Sequence, residues 1–171
     1  MTKRLDENGL LRYAAQALSA RALSIGELRE KLKRRAEDPE DVDRVLARLK
    51  ESGYLNDQRF AELYAGWRRD DGGFGKTRVL RDLMSRRVAP AVAKQAAEAA
   101  FKETDEVAMI EAFLARKYRG KDLGALLKEE KHLASAYRKL RLSGFSTGNS
   151  VKVLKRYSEQ AEQLEDDEPE S

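Results

Sequence analysis

Three times along the chain a leucine is followed seven residues later by a residue that opens a helix: Leu32 by Pro39, Leu83 by Pro90 and Leu140 by Thr147. A spacing kept that way ties one helix to the next through a turn of fixed length, so the chain reads as copies of one unit. In the first copy Ser24-Ile25-Gly26-Glu27 spells a capping box, with Leu23 and Leu28 placed as a hydrophobic staple, and the helix should run to about Arg35. Asp38-Pro39 then supplies an N-cap and a proline at the first helical position, Val42, Val45, Leu46 and Leu49 form an inward stripe, and Gly53 closes the helix. In the second copy Gly75 opens a helix with Val79, Leu80, Leu83 and Met84 inward, before Ala89-Pro90. In the third, Ser146 or Thr147 caps a helix whose Val151, Leu154 and Tyr157 face in. Gly144-Phe145 stands where Ala36-Glu37 and Arg87-Val88 stand in the other two.

A longer helical pattern precedes each pair: about Leu10 to Ala20, Asn56 to Arg69 and Asp105 to Arg119. In the middle one Phe60, Leu63, Tyr64 and Trp67 recur at helical spacing, which predicts an inward stripe with Trp67 in the core. Tyr118, Tyr137 and Tyr157 also fall where packing suits them, and Gly120 to Lys131 reads as a loop holding a short helix. The sequence therefore predicts an all-α chain of nine main helices in three tandem three-helix repeats, forming an elongated, curved body. The expected divisions are 1–53, 54–102 and 103–160, followed by an acidic, disordered tail over 161–171.

Composition agrees with helices: 37% of residues are charged, prolines number three, and no alternating β-branched runs occur. The absence of cysteine excludes a disulfide framework and thiolate zinc sites. No run is apolar enough for a membrane span and the N-terminus lacks a signal-peptide centre, so a cytoplasmic, membrane-free protein is expected. Residues 159–171 hold seven acids and no Lys or Arg, so the net charge of +4 leaves about +11 on the rest. A body that basic points to an anionic partner, nucleic acid or an acidic protein surface.

The stretch DDGGFGKT, Asp70 to Thr77, ends like a phosphate-binding loop. Asp70, however, stands where the first glycine of that motif belongs, and a helical pattern replaces the required upstream strand. A linker between two helices is the better reading. His132 is the only histidine, so neither a metal cluster nor a histidine-dependent triad can be assembled. No catalytic residue, metal or cofactor is predicted.

Tyr54-Leu55-Asn56-Asp57-Gln58-Arg59-Phe60-Ala61, followed by Tyr64, Arg68, Gly73-Phe74-Gly75, Arg78 and Leu83, resembles the central signature of the RecX regulatory proteins. The resemblance extends more loosely over residues 15–158. It departs at Lys76, where the family often has proline, and at Leu142-Ser143, where it often has a basic pair. What the resemblance implies is a non-enzymatic, monomeric protein of three-helix repeats that lies on the RecA recombinase filament and restrains its ATPase, strand-exchange and coprotease activities. Within the signature, Tyr54, Leu55, Asn56, Asp57, Phe60, Gly73 and Gly75 are read as mainly structural, since Asn56 can cap with Leu55 and Phe60 as a staple. Partner contact is assigned to Arg59, Arg68, Lys76, Arg78, Arg81, Arg86 and Arg87, with Arg34, Arg35, Arg138 and Arg141 on the corresponding helices. The alternative is direct, largely non-specific single- or double-stranded DNA binding by helix-turn-helix-like units.

Overall fold

The computed structural model describes residues 4–165. Ten α-helices follow in order among them: α1 Glu7–Ala20, α2 Ile25–Lys33, α3 Pro39–Glu51, α4 Asp57–Asp70, α5 Lys76–Ser85, α6 Pro90–Phe101, α7 Glu106–Lys117, the one-turn α8 Leu123–Leu126, α9 Glu130–Leu142 and α10 Thr147–Leu154. A 3-10 helix, Glu159–Glu165, ends the described chain. The starts are set by caps legible in the sequence. Ser24 and Glu27 form the reciprocal capping box on α2, Asp38 caps α3 ahead of Pro39, and Ser146 caps α10.

The chain divides into two compact units, Met1–Ala65 with Asp82–Ala99 and Gly66–Arg81 with Ala100–Ser171. In the first, Leu10, Leu28, Leu32, Val45 and Leu46 form the centre of a core between α1, α2 and α3. In the second, Ile110, Leu114, Leu133, Leu140, Phe145 and Leu154 do the same for α7, α9 and α10, with Phe113 meeting Phe145 edge-on at 5.7 Å. Each fully buried leucine contributes roughly 1.5–3 kcal/mol. Within the acidic stretch expected as a tail from residue 161, the described residues up to 165 are helical. Ala161 and Leu164 are buried in the second core, spaced three apart so that one turn points both inward. Residues 166–171 lie outside the described residues.

One backbone contact recurs three times, always at the carbonyl three residues past the repeated leucine. Past Leu32, the carbonyl of Arg35 accepts from the Leu5 N–H at 2.7 Å, and Leu5 in turn accepts from Glu37 N–H at 3.0 Å, an isolated bridge and not a strand. Past Leu83, the carbonyl of Arg86 accepts from the Ser24 hydroxyl. Past Leu140, the carbonyl of Ser143 accepts from Gly75 N–H at 2.8 Å, while Gly144 accepts from Thr77 N–H at 3.2 Å. In the latter two, a helix start of one repeat rests on a turn of the next; in the first, the chain's own N-terminal segment takes that place.

In the second and third joints the approach is close enough to demand glycine. A β-carbon on Gly26 would lie 2.5 Å from the Arg87 β-carbon, and one on Gly75 would lie 2.3 Å from the Gly144 carbonyl oxygen. Gly144 itself has φ +91 and room for nothing, its β-carbon falling 2.3 Å from the Arg78 nitrogen.

In the first unit the joint is reinforced by charge. Arg86 Nε and Nη2 donate to the two Glu27 carboxylate oxygens at 2.9 and 3.2 Å. The same guanidinium lies 5.1 and 5.3 Å from the centroids of Phe60 and Tyr64, whose rings stack 6.0 Å apart. Asp57, at the start of α4, accepts the free Ile25 N–H of α2 at 2.8 Å. Burial pushes the Glu27 carboxyl up, but the Arg86 hydrogen bond, the Ser24 amide and the charges of Arg86 and Arg21 together hold it below its ordinary value. Asp57 goes the other way: burial raises it beyond what the Ile25 amide and Lys50 offset.

Gly75→Ala and Gly144→Ala should each lower the unfolding free energy by more than ~2 kcal/mol in a urea titration, the sum of overpacking and, at Gly144, left-handed backbone strain. Gly53→Ala, at φ +77 with open space around it, should cost only ~1 kcal/mol. Because the folded-state pKa of Glu27 is lowered, its stabilisation is present above the ordinary glutamate range and fades as pH falls through the lowered value. The thermal midpoint of Glu27→Gln should therefore lie below wild type at neutral pH and converge on it in acid; a constant gap would show that the ionised pair contributes nothing.

Candidate partner-binding surface

The eleven basic residues that the sequence offers for partner contact separate into two groups. Five are engaged within the fold. Arg86 is the clamp just described, and Arg35 lies 5.0 Å over the Tyr13 ring. Arg68 and Arg78 cover Phe74 from 4.1 and 5.3 Å, and Arg78 also donates to the Leu142 carbonyl at 3.2 Å. Arg141 donates to the Phe145 carbonyl. Each of these long side chains lays its stem and charge against carbonyls, a carboxylate or aromatic faces of the fold.

The other six stand in solvent: Arg34, Arg59 and Arg87 in the first unit, Lys76, Arg81 and Arg138 in the second. Among the described residues none of their side chains has a hydrogen bond or an ion pair. Arg87 is singular. At φ +60 it is the only non-glycine residue in the left-handed region among the described residues, at the position that Gly144 occupies in the following repeat. Left-handed backbone costs an L-residue roughly 1–2 kcal/mol. An exposed arginine thus stands at the turn position that glycine fills in the following repeat.

Six of the glycine linker's backbone amides are already used within the fold. The amides of Asp71 and Gly72 donate to the Trp67 carbonyl, Gly73 to Arg69, Phe74 to Arg68, Gly75 to Ser143 and Thr77 to Gly144, all between 2.8 and 3.3 Å. A phosphate cradle needs those donors pointing outward. They close the turn instead, and Gly73, at φ +61, leaves room for the Arg116 guanidinium, which would lie 2.8 Å from an added β-carbon. Arg116 was not singled out in the sequence. Its signal, an arginine on the preceding face of α7 with no carboxylate partner nearby in sequence, is too weak to find. Among the described residues no group of three or more Asp, Glu or His side chains converges as a metal site.

The apolar face of α4 is the clearest correction. Phe60, Leu63, Tyr64 and Trp67 have helical spacing, yet the buried residues are Ala61 and Ala65. Leu63 and Trp67 are 65% and 53% exposed, and Met84, read as inward on α5, is 48% exposed. Two stripes with the same period run along α4, and the alanine stripe faces in because a methyl group is small enough to let the neighbouring backbone come close. Phe60 and Tyr64 lie at its edge under Arg86. In the signature, Leu55 is buried and the Asn56 side chain accepts from Arg59 N–H at 2.9 Å, capping α4. Tyr54, grouped with the structural residues, is 76% exposed instead.

Comparison with known proteins places this geometry. The family models for the RecX first and second three-helix domains match residues 11–49 and 56–96. The regulatory protein RecX of Deinococcus radiodurans is 36% identical over 150 residues, 88% of this chain and 68% of the relative. That of Amycolatopsis mediterranei is 31% identical over 140 residues, 81% of this chain and 77% of the relative. The crystal structure of RecX from Lactobacillus salivarius superposes with a TM-score of 0.66 at 16% identity, covering 88% of this chain and 96% of that one, which shows the shared fold. With the helix starts, the turn glycines and the Asn56-Asp57 caps of the signature all in place, the chain belongs to the RecX family of regulatory proteins.

Proposed function

We propose that this chain binds the RecA recombinase filament on DNA and restrains its ATPase, strand-exchange and coprotease activities by binding alone, without chemistry of its own. The observation that carries the reading is the set of six exposed cations that have no hydrogen-bonded or ion-pair partner among the described residues, together with family membership. Arg87 weighs most, since a strained backbone position retained for an outward charge is the mark of a contact residue. The linker amides, consumed by the fold, support a protein that holds no nucleotide. Restraint by binding requires the chain to prefer one filament state, because equal affinity for all states shifts nothing.

A second reading, direct DNA binding, draws on the same cations. If all six met phosphates, affinity for free DNA would fall by about 10³ or more between 50 and 200 mM salt.

RecA's single-strand-DNA-dependent ATPase, measured while the chain is titrated in, should fall at chain concentrations below that of RecA, and the chain alone should hydrolyse nothing. Arg81→Ala combined with Arg138→Ala should shift the titration to about tenfold higher concentration or beyond, since each removes an exposed charge and neither touches the core. Inhibition that appears only once the chain has saturated the DNA would favour the second reading.

A further inference from the structure

In the first unit a groove of about 970 Å³ opens between α1, the end of α3 and the first half of α4. Its walls mix polar and apolar surface, the apolar part coming chiefly from Leu11 and Leu18 of α1 and from Phe60 and Leu63 of α4, with Tyr54 beside them. Helix α1 carries a second apolar stripe for this purpose. Leu10 and Ala14 are buried in the core, whereas Leu11 and Leu18, half-buried and packed against that core, also line the groove together with Ala15, spaced four and three apart. The misread face of α4 supplies the opposite wall: Leu63, 65% exposed, belongs to no core cluster.

Charge selects what can enter. The only charged side chains in the lining are Arg48 and Arg59, and no carboxylate accompanies them there. Arg48 is held by Glu7 Oε1 at 3.3 Å, outside the lining, while Arg59 has no ion pair among the described residues. An apolar strip flanked by polar groups suits a helix laid along it, with apolar side chains at i, i+3, i+4 and i+7 on one face and polar ones beside them. A nucleic-acid strand fits poorly, because one unpaired cation cannot match a phosphate on every residue of the strand.

We propose that this groove docks an acidic amphipathic helical segment of the recombinase, its apolar face against Leu18 and Leu63 and a carboxylate against Arg59. The proposal rests on the recombinase binding argued above and names the site and the chemistry of one contact. It adds apolar contacts and a single arginine to residues otherwise described by charge alone, and in protein interfaces a few well-packed, desolvated residues carry most of the binding energy.

The test uses the full chain with RecA filaments assembled on single-stranded DNA, binding being followed by anisotropy of a fluorophore on this chain. Leu63→Glu and Arg59→Glu should each weaken binding about tenfold or more, and Arg59→Lys should retain most of it. Both positions are exposed, so the circular dichroism and thermal midpoint should stay at the wild-type values. A photo-crosslinking residue at position 63, mapped by mass spectrometry, should join a recombinase segment with Asp or Glu beside helically spaced apolar residues. If wild type binds the filament and both charge variants bind as tightly, the groove is overturned while recombinase binding stands. A crosslink to DNA, to a basic segment or to a second copy of this chain has the same meaning. Failure of the wild-type chain to bind the filament overturns both.

Discussion

The fold depends on one backbone contact, the acceptance of a neighbour's donor by the carbonyl that ends the second helix of each repeat. Arg35, Arg86 and Ser143 offer that carbonyl at the same offset from Leu32, Leu83 and Leu140, and Leu5, Ser24 and Gly75 satisfy it. A helix end leaves its last carbonyls without partners, and burying one unpaired costs about 1–3 kcal/mol. The contact removes that cost and at the same time fixes where the neighbouring helix begins. Everything else at the joint follows from how near the backbones must come: the glycines at 26, 75 and 144, the left-handed turn at Arg87 and Gly144, and the buried Leu32, Leu83 and Leu140 beneath it.

This contact explains why the basic residues divide as they do. A chain with 34 Lys and Arg has more cations than a core can use, and position within the turn decides their employment. Arg86, one residue before the left-handed turn, is directed back onto Glu27 and the Phe60–Tyr64 pair. Arg87, in the turn, has its β-carbon against Gly26 and its charge in solvent. In the second unit Arg68 and Arg78 close over Phe74, whereas Lys76 and Arg81, two residues before and three after Arg78, are left exposed. Cations that hold the turns are therefore interleaved with cations available to a partner, and a count of charge along the chain sees only their sum.

Much of this was legible in the sequence where the signal is local. Ser24, Asp38 and Ser146 cap the helices the sequence assigned to them, and Leu83 and Leu140 are buried as their repetition implied. The short helix between Gly120 and Lys131 appears as α8. What failed was orientation. Along α4 the large and the small apolar residues both recur at helical spacing, and only the closeness of neighbouring backbones decides that Ala61 and Ala65 face inward. The joint itself was invisible, since a carbonyl's partner 30 to 68 residues away leaves no periodic trace; only the equivalence of Arg87-Val88 and Gly144-Phe145 hinted at a shared turn.

The adjacent residues Arg86 and Arg87 give the most direct measurement of this account, which holds that one arginine maintains the fold and its neighbour serves the partner. Unfolding free energy and affinity for RecA filaments on single-stranded DNA would be measured in parallel for Arg86→Ala and for Arg87→Gly, the latter keeping the left-handed turn. The account predicts that Arg86→Ala loses stability by about 1–3 kcal/mol, the worth of a charge-assisted hydrogen-bonded pair, and binds normally wherever it remains folded. Arg87→Gly should be as stable as wild type or more so, and bind several-fold more weakly. If Arg87→Gly bound as well as wild type while Arg86→Ala lost affinity without losing stability, the division between fold-holding and partner-facing cations would be contradicted.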